Sequence, residues 1–252
     1  MHSQIGQMSG ECLLECKIME FSRSGRCKFL DKEFLMGTLD HRKTLNYTET
    51  EKDLGVLFTS NLKFSNHIRT QSNKATSILG QLKRTFRFWT IYTFKNLYSA
   101  FIRPHLEYAA TVWSPYTNKD IKTLEKVQRR ATKLIPRIRN WSYSERLSIL
   151  GLTTLEDKGI RGDLIQLFKI KNGFNSVNWV RSPTLCSSLS QSGPAQGIRG
   201  HKRRISGQIA NRCAQREHFF SNRVVNEWNN LPYSLTSYSL SSIISISCLC
   251  FI

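Results

Sequence analysis

The sequence predicts an α+β protein that is mostly α, with a small N-terminal β-hairpin or sheet, then a helical bundle and further C-terminal helices. Near the N terminus, apolar and polar residues alternate over short segments that turn residues separate, a pattern typical of strands. From Ser65 onward, apolar residues instead recur every three or four positions, which is the period of an amphipathic helix. Capping residues and Gly or Pro stops divide this second region into several helices.

The strand-forming region begins with Lys17-Ile-Met-Glu-Phe21 and Lys28-Phe-Leu30. Between them, Ser22-Arg-Ser-Gly25 has the composition of a turn, so the pattern predicts a β-hairpin. A third apolar run, at residues 53–58, contains Gly55. A glycine inside a strand predicts a backbone that turns sharply or approaches another group closely.

Three helices are predicted next. Ser65 and Thr90 are positioned to cap the first two, and Pro104 predicts a break or kink in the second. Asn118 is positioned to cap the third, which Pro136 ends. The residues predicted to face inward are Ile68, Ala75, Ile78, Leu79, Leu82 and Phe86, then Phe94, Leu97, Tyr98, Phe101 and Ile102, then Ile121, Leu124, Val127, Ala131, Leu134 and Ile135.

Two capping-box patterns follow. Ser142-x-x-Glu145 opens a helix that Gly151 closes, and Thr153-x-x-Glu156 opens a longer helix that ends at Asn172-Gly173. A last amphipathic helix, at about residues 212–229, carries Phe219, Phe220, Val224, Val225 and Trp228 on its apolar side. The intervening residues 181–211 are rich in Ser, Gly, Pro and Gln and include His201-Lys-Arg-Arg204, which predicts a flexible basic linker.

The charge balance favours a polyanionic partner. The chain has 37 Lys and Arg against 18 Asp and Glu, a formal net charge of +19. Such a surplus raises the local concentration of nucleic acid around a protein. The basic residues occupy loops and several different segments rather than one lipid-facing helix, so a membrane partner is disfavoured.

The seven cysteines are irregularly spaced, and no secretory signal precedes them, which predicts an intracellular location, in the nucleus or cytoplasm. Cys12, Cys16, Cys27 and His41, or Cys213 and His218, could in principle bind zinc. Neither set has the paired spacing of a tetrahedral site. The sequence therefore predicts ordinary thiols and no metal site.

Four segments of the chain carry a further pattern: Glu51-Lys-Asp-Leu-Gly-Val-Leu57, Leu97-Tyr-Ser-Ala-Phe-Ile-Arg-Pro-His-Leu-Glu-Tyr-Ala-Ala-Thr-Val-Trp-Ser-Pro-Tyr116, Leu124-Glu-Lys-Val-Gln-Arg-Arg-Ala-Thr-Lys-Leu134 and Asn222-Arg-Val-Val-Asn-Glu-Trp-Asn-Asn-Leu-Pro232. In that order they resemble the C-terminal region of reverse transcriptases from LINE-type, jockey-like non-LTR retrotransposons. The resemblance covers roughly residues 12–180 and 216–232. It implies an end-of-palm β remnant at 1–64, a thumb-like helical bundle at 65–116 and a post-thumb helical region at 117–180. The linker at 181–211 and a C-terminal helix with a divergent tail at 212–252 follow.

The resemblance implies a polymerase without its catalytic centre. Phosphoryl transfer by this family needs neighbouring carboxylates that hold paired divalent cations. No Asp-Asp pair occurs in the chain; Asp31, Asp40, Asp53, Asp120, Asp157 and Asp163 are scattered singly. We expect no catalytic residues, no cofactor and no polymerisation by this chain alone, since Mg²⁺ belongs to the intact polymerase.

Without the catalytic centre, the function that the resemblance still implies for this chain is nucleic-acid binding. Leu54-Gly55-Val56 resembles the primer grip, and a bulged core strand is the alternative. Lys17 matches a lysine that serves the triphosphate leaving group in the family. In the thumb-like region Lys74, Lys83, Arg84, Arg87 and Arg103 can reach phosphates. Phe88, Trp89, Trp113 and Tyr116 either stack on bases or fill the core, and the core is favoured for Trp113.

Cationic residues on the third predicted helix form a single stripe, because Lys122, Lys126, Arg129, Arg130 and Lys133 follow one another at helical spacing. Like charges at this spacing repel one another. Within the helix, only the pair of Glu125 with Arg129, four residues later, is predicted to reduce that repulsion. The stripe, with Lys202, Arg203 and Arg204 of the linker, predicts contacts to RNA or DNA, above all an RNA–DNA hybrid. The alternatives are a non-catalytic interaction protein, such as a partner of an intact element-encoded polymerase, or a relict product; the sequence leaves the oligomeric state open.

Overall fold

Two units make up the structure, which is a computed structural model that describes residues 16–22, 33–38, 41–179, 184–185, 203–208 and 213–236. The first unit comprises residues 1–66 and the second residues 67–252. Short strands occupy the first unit and helices dominate the second. The predicted fold class, α+β and mostly α with an N-terminal sheet, is confirmed.

The first unit contains short two-stranded ladders rather than one sheet. Among the described residues, β2 pairs with β3 and β5 with β6, both antiparallel, whereas β1 pairs with β4 in parallel. The partner of Lys17 is Asn46. The predicted hairpin partner, residues 28–30, lies outside the described residues. The strands are β1 Lys17–Ile18, β2 Leu35–Thr38, β3 His41–Thr44, β4 Asn46–Tyr47, β5 Thr50–Asp53 and β6 Val56–Thr59.

Leu54 and Gly55 form the two-residue turn between β5 and β6, where Asp53 pairs with Val56. Both turn residues have positive φ, 45° and 85°. Two-residue hairpin turns of this kind match the twist of the flanking strands. The sharp turn predicted from Gly55 is therefore present, and Leu54 accepts a conformation that bulky residues rarely adopt.

The second unit is an array of helices joined by short turns. Helix α1 begins in the last two residues of the first unit and otherwise belongs to the second. The helices are α1 Ser65–Thr85, α2 Ile91–Leu97, α3 Arg103–Glu107, α4 Ala110–Trp113, α5 Asn118–Thr132, α6 Tyr143–Leu150, α7 Leu155–Lys171, α8 Ala214–Glu217, α9 Phe220–Asn229 and α10 Tyr233–Thr236. A π-helical turn, Tyr98–Ile102, joins α2 to α3, a 3₁₀ turn, Pro136–Ile138, follows α5, and β7 Thr184–Leu185 pairs with β8 Ile205–Ser206.

Several predicted helix ends are confirmed. The Thr90 hydroxyl accepts a hydrogen bond from the Thr93 amide at the start of α2. Ser142 and Glu145 form the reciprocal capping box of α6, and Gly151 ends that helix with φ 61°. Each cap satisfies a backbone group that the helix itself leaves unpaired.

Other ends differ from prediction by one residue or more. Thr117, not Asn118, caps α5, and Thr154, not Thr153, caps α7. Helix α5 ends at Thr132, before the predicted stop at Pro136. The final helix is divided, because α8 ends before Phe219 and α9 begins after it.

The distortion predicted at Pro104 lies just before that residue, in the π-helical turn. Proline has no amide hydrogen and cannot continue an α-helical ladder. Widening the preceding turn lets the chain continue into α3, which carries Pro104 at its first turn. The break is therefore a local change of helix type, with Tyr98 and Ile102 still buried.

The core of the second unit is built largely from the predicted apolar positions. Buried members include Ile68, Ala75, Leu79, Phe94, Tyr98, Ile102, Leu124, Val127, Ala131 and Ile135. Three predictions are wrong: Phe101 is 51% exposed, Phe219 is 57% exposed, and Phe86 lies beyond the end of α1 with 36% exposed. A further cluster joins α7, β8 and α9 through Leu167, Phe168, Ile205, Val224 and Trp228.

Candidate nucleic-acid interface

The surface of the second unit is strongly positive over its first 78 residues. Residues 67–144 contain fifteen Lys and Arg but three Asp and Glu. Each of the three carboxylates is engaged inside the protein. Glu107 pairs with Arg103 and Lys158 at 2.8 Å, Asp120 accepts from the Thr117 hydroxyl at 2.8 Å, and Glu125 accepts from the Tyr143 hydroxyl and the Leu155 amide.

Their engagement inside the protein leaves these three carboxylates little able to offset the fifteen cations of this stretch. Asp120 and Glu125 are each 8% exposed. Burial raises the pKa of Glu107, an effect that Arg103 opposes. A surplus of positive charge on this stretch favours association with anions in solution, including a bound polyanion.

Five cations converge on one groove in this surface. The groove has a volume of about 580 Å³ and lies where the C-terminal end of α1 approaches the C-terminal end of α5. Among the residues that the structure describes, no carboxylate lines the groove; its lining residues are Thr76, Leu79, Gly80, Lys83, Phe86, Arg87, Trp89, Arg130, Lys133, Leu134 and Arg139.

The α1 wall of the groove carries cations and aromatic rings together. Lys83 lies in the last turn of α1, and Arg87 follows the end of the helix at Thr85. The Trp89 indole N–H donates to the Phe86 carbonyl oxygen at 2.9 Å. The two rings meet edge to face, with centroids 6.2 Å apart. This contact fixes the orientation of the Trp89 ring in the wall.

The α5 wall supplies Arg130 and Lys133 at the end of that helix and Arg139 after the 3₁₀ turn. Basic residues near a helix end stabilise its free carbonyl groups. That explanation covers Lys83, Arg130 and Lys133. It also covers Arg139, which directly follows the 3₁₀ turn, but not Arg87, which lies two residues past the end of α1 and still lines the groove. Within the described residues, none of the five groove cations forms an ion pair.

The predicted α5 stripe is exposed along its whole length, but its members have different surroundings. Arg130 and Lys133 line the groove, whereas Lys122 and Lys126 do not. The Arg129 guanidinium lies over the Tyr143 ring, 4.0 Å from its centroid. Glu125 is occupied by Tyr143 and Leu155, so the predicted offset to Arg129 is wrong.

The remaining predicted cations lie elsewhere. Lys74 and Arg84 are exposed on α1 outside the groove. Arg203 donates to Asn172 Oδ1 at 3.2 Å and to the Thr236 carbonyl at 2.6 Å, and Ile205 next to it is buried in the core. This part of the predicted flexible linker, with half-buried Arg204, therefore packs into the C-terminal cluster. Lys202 lies outside the described residues.

The aromatic residues that were predicted either to stack on bases or to fill the core also differ in their surroundings. Trp113 is 1% exposed, as favoured from the sequence. Tyr116 stacks on His218 with ring centroids 4.7 Å apart. Phe88 is 86% exposed, and Trp89 is half-buried in the groove wall. Arg139 is the groove residue that the sequence reasoning missed. The signal was present, since Arg137-Ile-Arg139 alternates cations around a buried Ile138.

The primer-grip-like residues lie in the first unit. Leu54 is 84% exposed at the tip of the β5–β6 hairpin, whereas Val56 is buried. Lys17, the residue matched to a leaving-group lysine, pairs with Glu51 at 3.2 Å, and both side chains are about half-exposed. The Lys17–Glu51 ion pair connects β1 and β5 within the unit. The tip of the β5–β6 hairpin, at Leu54, is exposed to solvent.

Metal chemistry has little support in the described residues. They contain no group of three or more His, Cys, Asp or Glu side chains that could hold an ion. The Cys213 thiol is 3.7 Å from Gln215 Oε1, and His218 stacks on Tyr116. The described Asp and Glu side chains do not form a cluster that fits the paired magnesium ions of a polymerase. No described helix has the length and apolar character needed to span a membrane.

Comparison with known proteins finds similarity over part of the chain. No family model matches the chain, and no solved structure matches it. The chain is similar to an uncharacterised protein of Caenorhabditis elegans, with 33% identity over 99 residues. The matched region is 38% of this chain and 50% of that protein, so the chain spans about half the length of this relative.

Proposed function

We propose that this chain binds nucleic acid through the basic groove, as a reverse-transcriptase remnant that has lost polymerase chemistry. The observation that carries the proposal is the convergence of Lys83, Arg87, Arg130, Lys133 and Arg139 on one groove that no described carboxylate lines. Two separate parts of the sequence supply these cations. A stabilising role at helix ends accounts for most of them one by one, but not for Arg87 or for the meeting of all five at one groove, which a bound anion would explain.

Phosphate groups fit this arrangement. Arginine offers paired donors to phosphate oxygens, and lysine offers a mobile point charge. Binding releases condensed counterions, so affinity falls steeply as salt rises. The resemblance of the helical region to a polymerase thumb and its post-thumb extension supports an RNA–DNA hybrid as the first ligand to test.

The test is a salt titration of binding to a fluorescent RNA–DNA hybrid, with two matched double variants. One variant is Lys83→Gln with Lys133→Gln, which removes two groove charges. The control is Lys95→Gln with Lys119→Gln, which removes two exposed charges outside the groove. Both lower the net charge equally, so they differ only in where the charge is removed.

We expect the groove variant to lower the slope of log affinity against log salt by about 0.7–0.9 for each phosphate that it no longer neutralises. The control should retain most of the wild-type slope. Equal slopes for the two variants would show that net charge, not the groove, governs binding. No binding at low salt would overturn the proposal and favour a protein-interaction role.

The absence of polymerase chemistry has its own test. Wild-type protein should incorporate no nucleotide on a primed template with Mg²⁺ or Mn²⁺, because the neighbouring carboxylates that hold two metals are not encoded. A preparation from cells that carry the empty vector gives the background. Incorporation above that background, retained through purification, contradicts the proposal that only binding survives.

A further inference from the structure

We propose that the groove accepts an unpaired nucleotide, with its base stacked on Trp89, so that single-stranded nucleic acid binds better than continuous duplex. The inference rests on the proposed function and specifies the ligand of the same groove. It differs from the expectation of a hybrid duplex. Three features of the groove carry it: its size, its apolar floor and the combination of ring and cations in one wall.

The size of the groove fits nucleotides and not a duplex. A volume of about 580 Å³ falls in the range of cavities that enclose one small molecule, roughly 300–1,000 Å³. A duplex keeps its bases in the stack and presents phosphates on a rigid outer surface. Such a surface contacts the rim cations but leaves the interior of the groove unfilled. A single strand can place a base inside.

The floor of the groove is apolar and open. Leu79 and Leu134 contribute aliphatic surface between the cations. Gly80 lies beside them in the C-terminal part of α1, and a Cβ placed on it would meet no atom within 4 Å. Glycine inside a helix costs roughly 0.5–1 kcal/mol relative to alanine. Here it leaves open space in the wall of a cation-lined groove, where a base edge can enter.

The aromatic wall provides the stacking surface. The indole N–H of Trp89 is already bonded to the Phe86 carbonyl, which leaves the ring to act by stacking rather than by hydrogen bonding. Every base has a π-face, so stacking tolerates sequence changes. Lys83 and Arg87 lie on the same wall and can hold the phosphates on either side of a stacked base. A basic groove that also carries an aromatic ring for base stacking is typical of single-strand binding surfaces.

Gly80→Leu tests the inference without removing a charge. Its side chain would fill the groove, and leucine favours the helix, so α1 should remain folded. Gly162→Leu is the matched control, because that glycine is also exposed on a helix with no atom near its Cβ and lies outside the groove. Circular dichroism should be the same for both variants and wild type.

Binding is measured by fluorescence anisotropy with oligo-uridine, oligo-thymidine and a duplex of equal length. We expect both single strands to bind at least about tenfold tighter than duplex, with RNA and DNA distinguished by the first two probes. Gly80→Leu and Trp89→Ala should weaken single-strand binding by roughly 5- to 150-fold, the range that one base–aromatic stack provides. Duplex binding and the Gly162→Leu control should change little.

Trp89→Phe keeps a stacking ring and provides an independent readout. It should retain single-strand binding while the ligand-induced quenching of tryptophan fluorescence disappears. A duplex that binds as well as a single strand, or an unchanged affinity in Gly80→Leu, would overturn the inference alone. Loss of salt-dependent binding to every probe would instead overturn the proposed function.

Discussion

Asp163 on α7 and Arg223 on α9 form a bidentate ion pair, with Nε–Oδ2 and Nη2–Oδ1 distances of 2.7 and 2.9 Å. The side chains are 7% and 15% exposed. Arg223 also donates to the carbonyls of Thr111 and His218. One guanidinium therefore joins α7 and α9 to α4 and to His218, the residue after α8.

Arg223→Met should destabilise the protein by about 3–5 kcal/mol, because it leaves the Asp163 carboxylate buried without its partner. Arg103→Met is the matched control. Its partner, Glu107, keeps Lys158 and is more exposed, at 25%, so that change should cost about 1 kcal/mol or less. Urea unfolding followed by circular dichroism measures both. Similar destabilisation of the two variants would contradict a special role for the buried pair.

Tyr143 and Tyr98 permit a second matched comparison. The Tyr143 hydroxyl donates to the Glu125 carboxylate, whereas the Tyr98 hydroxyl donates to the neutral Gln128 side chain at 2.5 Å. Hydrogen bonds to charged groups contribute about 1.5–3 kcal/mol and neutral ones about 0.5–1.5 kcal/mol. Tyr143→Phe should therefore lower the free energy of unfolding more than Tyr98→Phe. The reverse order in urea denaturation would show that Glu125 does not depend on this donor.

His67 predicts a pH dependence of stability. It is buried 5.2 Å from the Trp113 ring, and burial, followed by the charge of Lys74, lowers its pKa. Below about pH 6.5, the ordinary histidine value, the unfolded chain then binds more protons than the folded chain. The His67 contribution is thus present at neutral pH and is lost as pH falls through about 6.5 towards the lower folded pKa.

His67→Phe should flatten this dependence, since phenylalanine keeps a ring beside Trp113 and has no proton to bind. The free energy of unfolding of wild type and variant is compared by urea titration at about pH 5.5 and 7.5. The difference between wild type and variant should widen in favour of the wild type at the higher pH. A difference that does not change with pH would exclude His67 as the titrating group.

Leu54 should be replaceable by asparagine with a gain in stability of the β5–β6 hairpin. Leu54 has φ 45°, a conformation that asparagine tolerates better, and Asn-Gly is the preferred pair for this turn. Amide hydrogen exchange across residues 50–59 measures the gain as slower exchange. Gly55→Ala, at φ 85°, should have the opposite effect. Faster exchange in Leu54→Asn would indicate that the leucine side chain stabilises the turn.

Local features of the fold were predictable because neighbouring residues determine them. Ser142 and Glu145 form a capping box through their own backbone, and Gly151 adopts the left-handed conformation that side chains disfavour. The period of the apolar residues likewise identified most of the core of α1, α2 and α5. These elements depend on spacing within one turn of helix, which the sequence displays directly.

Choices between adjacent residues depended on distant contacts. Thr153 and Thr154 are both able to cap α7, and the structure uses Thr154. Gln128 on α5 donates to the Thr153 carbonyl at 2.9 Å, and Glu125 accepts from the Leu155 amide at 3.1 Å. These bonds hold the start of α7 against α5. The residues around Thr153 do not reveal these contacts with α5. The N-cap of α7 predicted from the local sequence was therefore wrong by one residue.

The helical period, some of the caps, the excess of cations and the scarcity of neighbouring carboxylates all follow from the sequence alone. Which cations act together depends on how the helices pack. Lys83 and Lys133 are 50 residues apart and line one groove because the fold brings the end of α1 and the end of α5 to its two sides. Arg203, in an equally basic run, instead binds Asn172 and Thr236. Charge is a property of each residue, whereas the neighbours of that charge in space follow from the packing of the core.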